Sequence, residues 1–225
     1  MISVCIPCYE QSGMGTKYMA ELLDSISRQR GVELEVVVSD NSKDNNIELL
    51  CSNYRNMNLR YFRNNETYGT SNNTNNAISH AAYGHIKVMY SDDLLLEPNA
   101  LYEFWKALQE NHWAVCWSKS MNKAGKISHL RKPHWNDNII KGKNTIGMPS
   151  VVAFRKNEFA FDPNLTTLLD CEYYYLLKNK YGEPEYITKP LVAQRYWDGS
   201  MSFIVGDNRG KDYAYLVKKH KLNES

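Results

Sequence analysis

The segment Val88-Met89-Tyr90-Ser91-Asp92-Asp93-Leu94 runs an apolar, β-prone stretch into two adjacent carboxylates, and Glu97-Pro98 then opens a helical pattern. Paired acids at the carboxyl end of a strand lie where open α/β sheets bind ligands. Two clustered carboxylates are also enough to anchor a hard divalent cation that completes its shell with phosphate oxygens and water. The same pair would suit the positive end of a helix dipole, so by itself it leaves both readings open. A second acidic pair, Asp170 and Glu172, opens another helical stretch. Positions two apart on a helix point in different directions, so at most one of these faces a shared site. Asp170 is equally suited to capping its helix. Cys5-Ile6-Pro7-Cys8 has redox spacing, but the first cysteine sits in an apolar strand and no helix starts beside it to lower a thiol pKa. We expect a buried strand cysteine followed by a loop cysteine. No Cys/His set has zinc-ligand spacing.

Composition narrows the class. A chain of 225 residues suits one large domain and is long enough to bury a proper core. Net charge is +2 with both signs mixed, which implies no strong attraction to nucleic acid or membrane. No apolar run approaches the ~20 residues of a membrane span, and Met1–Ile6 lacks the basic start of a signal peptide. Five cysteines with scattered spacing imply free thiols in a reducing compartment. The expected setting is cytoplasmic.

The elements that must position these acids follow from periodicity. Apolar residues at 18, 19, 22, 23 and 26 mark a helix over Thr16–Gln29, stopped by Gly31. Leu34–Val38 is a buried strand, residues 44–54 a helix and Leu59–Phe62 a strand. The Asn- and Thr-crowded stretch 64–76 ends in a helix-like Ala77, Ile78, Ala81, Ala82 pattern. His85–Tyr90 is a fourth strand and Pro98–Asn111 the next helix. Strands alternating with helices predict an α/β fold with a mostly parallel, three-layer sheet and right-handed crossovers. Further along we expect strands at Ala114–Trp117 and Val151–Arg155, with a polar, basic stretch over 121–143 between them. A helix at Leu168–Tyr181, an extended segment at Tyr186–Arg195, a mobile loop at Asp198–Gly210 and a terminal helix at Tyr213–Leu222 follow.

In this order the residues resemble family 2 glycosyltransferases, which have the GT-A fold. The resemblance spans about residues 1–202. It is carried by Ile6-Pro7-Cys8-Tyr9-Glu10, by Val37-Val38-Ser39-Asp40-Asn41-Ser42-Lys43-Asp44, and by Arg63-Asn64-Asn65 with Gly69, Asn75, Ala77 and Ile78. Ser91-Asp92-Asp93 stands at the family's D-x-D position, with Pro98 and Leu101 after it. Gly147-Met148-Pro149-Ser150, Asp170-Cys171-Glu172 and Arg195 with Ser200-Met201-Ser202 complete the series. The resemblance implies a single GT-A domain over 1–225, with a nucleotide-binding half over 1–117 and a sugar- and acceptor-binding half over 118–225.

It also implies roles. Pro7, Tyr9, Glu10 and Asp40 would hold base and ribose, with Asn65, Gly69 and Asn75 in the same donor site. Asp92 would contact ribose or sugar, and Asp93 would bind Mn²⁺ or Mg²⁺. Gly147, Pro149 and Ser150 would line the sugar pocket, and Asp170 would be the base, with Glu172 as its alternative. The implied reaction moves a hexose or deoxyhexose, with inversion, from a nucleoside diphosphate sugar to a hydroxyl of a glycan or glycoprotein. UDP is the first expectation for the nucleotide and dTDP the second. As nearly a bare catalytic domain, the chain also resembles the small glycosyltransferases that large algal viruses encode to decorate capsid protein, which would place it in the host cytoplasm. Four positions depart from the pattern: Thr74 replaces an Arg, Ala77 a Gly, Tyr90 the first Asp of the longer D-x-D-D form, and Trp197 a His that many members have, sometimes near the metal. Loss of that His leaves Asp93 as the one strong protein ligand. Of the aromatics Trp135, Tyr173, Tyr174, Tyr175, Tyr196 and Trp197, about two thirds are expected to be packing. Alternatives are a nucleotidyltransferase, faintly echoed in Gly13-Met14-Gly15 and Lys17, and a non-catalytic carbohydrate-binding protein.

Overall fold

A computed structural model describes residues 1–10, 13–200, 203 and 208–222. Its centre is β1 (Ile2–Cys8) and β2 (Leu34–Asp40), with every residue but Leu34 buried. Such continuous burial belongs to parallel strands covered on both faces. Each parallel neighbour needs a crossover, supplied in turn by α1 (Gly15–Ser27), α2 (Asn46–Ser52) and α3 (Thr70–Ser79). These lead to β2, to β3 (Leu59–Arg63) and to β4 (His85–Val88). The order β3-β2-β1-β4 means that the chain winds outward from β1 and then returns to its other side. The carboxyl ends of β1 and β4 therefore flank the topological switch point, where a crevice opens in sheets of this kind.

The sheet continues through β8 (Val152–Arg155), β6 (Trp113–Asn122), β9 (Glu185–Tyr196) and the two-residue β5 (Leu94–Leu95). β7 (Ile127–Arg131) pairs with β6 as a hairpin. β1, β2, β3, β4, β6 and β9 run one way; β5, β7 and β8 oppose them. α4 (Ala100–Ala107), α5 (Leu169–Tyr181) and α6 (Arg209–His220) complete the layers. The expected three-layer, mostly parallel α/β fold is thus observed. Pairing of β5 with Val192 and Ala193 of β9 holds the Asp92-Asp93 corner against the end of β9.

Three elements differ from the sequence expectation. The Asn- and Thr-rich stretch is helical from Thr70 onward, and Ala81 and Ala82 lie beyond the helix end. Its polar side chains are used in tertiary bonds. Asn73 Nδ2 donates to the carbonyls of Cys8 (3.0 Å) and Ser39 (2.9 Å), and Asn75 exchanges two bonds with the backbone of Phe161. Those contacts override poor helix propensity. β6 runs on to Asn122 and folds back as β7, whose five residues are all exposed and so carry no burial alternation. Cys8 is the last, buried residue of β1, not a loop residue. Of the expected 198–210 loop, residues 201, 202 and 204–207 lie outside the described residues.

Gly15 marks a close backbone approach. A Cβ there would stand 2.6 Å from the Tyr9 carbonyl oxygen and 2.8 Å from Glu10 Cα. Gly15→Ala must push the start of α1 off the Tyr9-Glu10 turn, a strain of roughly 1–3 kcal/mol. Thermal unfolding should show a loss of about 2–4 °C per kcal/mol.

Candidate active site

The corner after β4 is built around two carboxylates. Asp93 is fully buried; its Oδ1 accepts the Arg195 amide N–H at 2.8 Å. Its Oδ2 is buried and has no hydrogen-bond partner among the described residues. Burial, then the neighbouring Asp92 charge, push the Asp93 carboxyl up to about 8, only partly offset by the Ser150 hydroxyl and the Arg195 amide. Asp92 is also raised, chiefly by burial. Its Oδ2 accepts the Trp197 indole N–H at 3.0 Å, and its carbonyl accepts Arg195 Nε at 2.9 Å. The Arg195 guanidinium pairs with Glu21, donates to the Lys123 carbonyl at 3.3 Å, and lies 4.1 Å from the Tyr18 ring centroid. Arg195 is therefore a buried strut under the acid corner.

An orphaned, desolvated carboxylate oxygen is what a divalent cation would satisfy, so Asp93 fits the expected metal. No group of three His, Cys, Asp or Glu among the described residues could hold an ion without help. Donor phosphates and water would have to supply the rest of the shell.

The turn before β8 forms the opposite wall. Gly147 has φ +118, a conformation that favours glycine, and a Cβ there would stand 3.3 Å from Val151 Cγ2. Pro149 and Ser150 follow in a buried 3₁₀ turn. Ser150 Oγ accepts the Tyr90 N–H at 2.9 Å, tying this turn to the acid corner. Beneath it the buried Lys87 ammonium donates to the carbonyls of Val88 (3.1 Å), Val152 (3.3 Å) and Ser150. Asp170, on the first turn of α5, accepts Asn144 Nδ2 at 2.8 Å through Oδ2 and the Cys171 N–H at 2.7 Å through Oδ1. Burial pushes it up to about 6. The same Asn144 side chain accepts the Gly147 N–H at 2.9 Å and donates to its carbonyl at 3.2 Å. Asn144 thus joins Asp170 to the glycine turn, a role that no local sequence signal shows.

Asp170 and the acid corner are both tied to the Gly147–Ser150 turn, Asp170 through Asn144 and the corner through the Tyr90 N–H on Ser150 Oγ. The Tyr90 phenol is raised above the usual tyrosine range first by burial, then by the charges of Asp170 and Asp93, with Asp92 contributing less. Glu172 is directed elsewhere. It is buried and bound by Lys219 Nζ at 2.7 Å and His220 Nε2 at 2.6 Å, both on α6.

Across the switch point, a cavity of about 380 Å³ opens beyond β2 and β3, lined by Ser42, Lys43, Asn45, Arg63, Asn65 and Tyr68. Asn65 is on its wall, Tyr9 is exposed, and Gly69 is exposed at the start of α3 with φ +101. Pro7 is buried within β1, opposite Ser39. Asp40 is fully buried; it accepts Tyr61 Oη at 2.7 Å and the Ser42 N–H at 2.8 Å, with Arg63 3.6 Å away. Asn75 is committed to Phe161. Both Glu10 oxygens are taken at the start of α1, by the N–H groups of Gly15 (3.0 Å) and Thr16 (2.9 Å) and by the Thr16 hydroxyl. Asp40, Asn75 and Glu10 therefore shape the site, whereas Tyr9, Asn65 and Gly69 are open to a ligand.

Two rival readings lose support here. The N-terminus of α1, where Gly13-Met14-Gly15 would have cradled phosphate, is already occupied by the Glu10 carboxylate. Cys5 and Cys8 are buried in β1, and burial raises both thiols, the reverse of a reactive pair. Among the aromatics, Tyr173, Tyr174 and Trp197 are buried, and Trp135 and Tyr175 pack on the core. Only Tyr196 is exposed.

The sequence profile of glycosyl transferase family 2 matches residues 3–168. The chain belongs to glycosyl transferase family 2. The Asp92-Asp93 pair and the cavity beyond β2 and β3 lie within the matched range; Asp170 falls just beyond it. Among solved structures, Staphylococcus aureus TarS residues 1–349 in complex with UDP-GlcNAc shares 19% identity at a TM-score of 0.74, over 97% of this chain and 64% of that one. The mannosyltransferase PcManGT of Pyrobaculum calidifontis, in complex with GDP-Man and Mn²⁺, shares 16% identity at a TM-score of 0.65, over 100% of this chain and 65% of that one. At these identities the likeness shows the GT-A fold. The uncharacterized protein MT1568 of Mycobacterium tuberculosis is 25% identical over 202 residues, 79% of this chain and 61% of that protein. The chain spans just under two thirds of the length of these relatives. No helix among the described residues is long and apolar enough to cross a membrane.

Proposed function

We propose that this chain transfers a hexose or deoxyhexose, with inversion, from a nucleoside diphosphate sugar to a hydroxyl of a glycan or glycoprotein. The observation that carries the proposal is the Gly147–Ser150 turn, joined to the α5 carboxyl of Asp170 through Asn144 and to Tyr90 at the edge of the acid corner through Ser150 Oγ, beside a corner whose Asp93 oxygen is orphaned. Residues 1–117 supply the nucleotide-binding half and 118–225 the sugar- and acceptor-binding half. Asn65, Gly69 and Tyr9 contact the nucleotide, in a cavity that Asp40, Glu10 and Pro7 hold in shape. UDP is the first expectation and dTDP the second. The TarS complex with UDP-GlcNAc favours a uridine nucleotide, and the mannosyltransferase complex shows that this fold also takes GDP-Man.

Asp93 Oδ2 would hold Mn²⁺ or Mg²⁺, which, when bound, supplies Lewis-acid stabilisation of the leaving diphosphate. Asp92 is oriented by Trp197 and Arg195 toward the ribose or sugar. Gly147, Pro149 and Ser150 wall the sugar, fixed from below by Lys87 and from the side by Asn144. Asp170 takes the proton of the acceptor hydroxyl as that oxygen attacks the anomeric carbon and the bond to the diphosphate breaks on the opposite face. A carboxyl near 6 is ionised at neutral pH yet basic enough to accept a proton in the transition state.

The test is a panel of UDP-, dTDP- and GDP-sugars with Mn²⁺, following nucleoside diphosphate release and the anomeric proton of the released or transferred sugar by NMR. Turnover of one donor class with inversion is the expected outcome. Retention would remove the single-displacement mechanism, and binding without turnover of any donor, even with oligosaccharide acceptors present, would favour a carbohydrate-binding protein.

A further inference from the structure

α6 lies outside the catalytic crevice, yet it holds the segment that carries Asp170 at three places. In the middle, a single oxygen, Asp212 Oδ2, accepts three consecutive backbone N–H groups: Thr166 (3.0 Å), Thr167 (2.6 Å) and Leu168 (2.9 Å). Asp212 is only 4% exposed. Leu168 is the N-cap residue of α5, and its own side chain makes no cap hydrogen bond. Upstream, Asp162 accepts Tyr215 Oη at 2.9 Å and Lys219 Nζ at 2.6 Å. Downstream, Lys219 and His220 grip Glu172 on the first turn of α5. Asn208, at the N-cap of α6, donates its N–H to Thr167 Oγ1 at 3.3 Å. The other side chains at the acidic start of α5 are thus fixed by α6 or the core, and Asp170 is left bonded to Asn144.

We propose that α6 is a clamp that sets the position of Asp170, with Asp212 as its principal positioning residue. The inference rests on Asp170 being the base. A base displaced by about 1 Å loses on the order of 10²-fold in rate, because the attack geometry is what the helix start fixes. The donor site lies on the other side of the crevice and does not touch α6.

The test compares Asp212→Ala, Asp212→Asn and Lys219→Met in steady-state transfer and in nucleotide-induced thermal shift. Asp212→Ala should lower kcat by roughly 10–100-fold. Its donor KM and its shift with UDP and Mn²⁺ should stay close to those of the parent, as for an interaction that acts only on the chemical step. Asp212→Asn keeps an oxygen acceptor and should recover most of kcat; Lys219→Met should lower kcat by releasing the far end of the clamp. If Asp212→Ala does not fold, Lys219→Met carries the same test. An unchanged kcat per folded molecule, or a loss shared equally by KM, would overturn the clamp. An active Asp170→Asn would instead overturn the assignment of the base, and the two failures are therefore distinguishable.

Discussion

Asp170→Asn should lose roughly 10²–10⁴-fold in turnover while melting at a higher temperature than the parent at pH 7. The two effects have one cause. Burial raises the Asp170 carboxyl from 3.8 to about 6, so its ionised form is less favourable in the folded chain than in the unfolded one. A raised carboxyl costs stability above its folded pKa and nothing below its unfolded pKa. Neutralising it therefore stabilises the fold at pH 7, by up to about 3 kcal/mol at ~1.4 kcal/mol per unit, and less because the side chain is not wholly excluded from water. The gain should fade as pH falls from about 6 toward 4. The amide still accepts one of the two present bonds, from Asn144 or from Cys171. Were Asp170 only a helix-start residue, Asn would serve nearly as well and activity would persist. In the parent, kcat/KM should rise with pH through about 6 as the base ionises. Differential scanning calorimetry at pH 5 and 7, beside a pH–rate profile, checks both halves.

Asp93→Ala should remove the dependence of nucleotide binding on the divalent ion. Asp93 Oδ2 is the one buried carboxylate oxygen left without a partner among the described residues. Trp197 stands where the resemblance places a His that is sometimes near the metal, and its indole donates to Asp92 and offers no ligand. On the proposed reading one anchoring carboxylate would carry the protein's share of the site, since no group of three His, Cys, Asp or Glu among the described residues could hold an ion. In the parent, saturating nucleotide with Mn²⁺ at ~100 times Kd should stabilise by ~2.7 kcal/mol, a shift of roughly 5–10 °C for a domain of this size. In Asp93→Ala that shift should fall to the value given by nucleotide alone, and transfer should fall by at least ~10²-fold for want of leaving-group stabilisation. The variant itself should fold, since it removes a buried carboxyl whose Oδ1 serves only the Arg195 amide.

Much of the sheet was legible because its strands are mainly apolar runs punctuated by polar turns. β1 and β2 announce themselves by their mainly apolar sequence, and the alternation of strands with helices fixes a parallel sheet with a switch point beside β1. The Asp92-Asp93 corner and Asp170 were legible from residue type and order. Other parts carry no local signal. β5 is two residues long and exists through its pairing with β9. β7 is exposed on both faces. α3 is rich in Asn, and its helicity depends on partners such as Cys8, Ser39 and Phe161, from 34 to 86 residues away. Asn144 and Asp212 act on residues 26 and 44–46 positions distant. Glu10 shows the opposite case: its place after the first strand suggested a ligand contact, while its oxygens close the turn onto α1.

Thermal unfolding with UDP, dTDP, GDP and ADP, each with and without Mn²⁺, tests most directly whether the β1–β4 crevice is a nucleotide-sugar donor site. A rise of roughly 5–10 °C with one nucleotide, UDP first and dTDP second, that needs the metal is the predicted result. No shift with any of the four, with or without the ion, would contradict it.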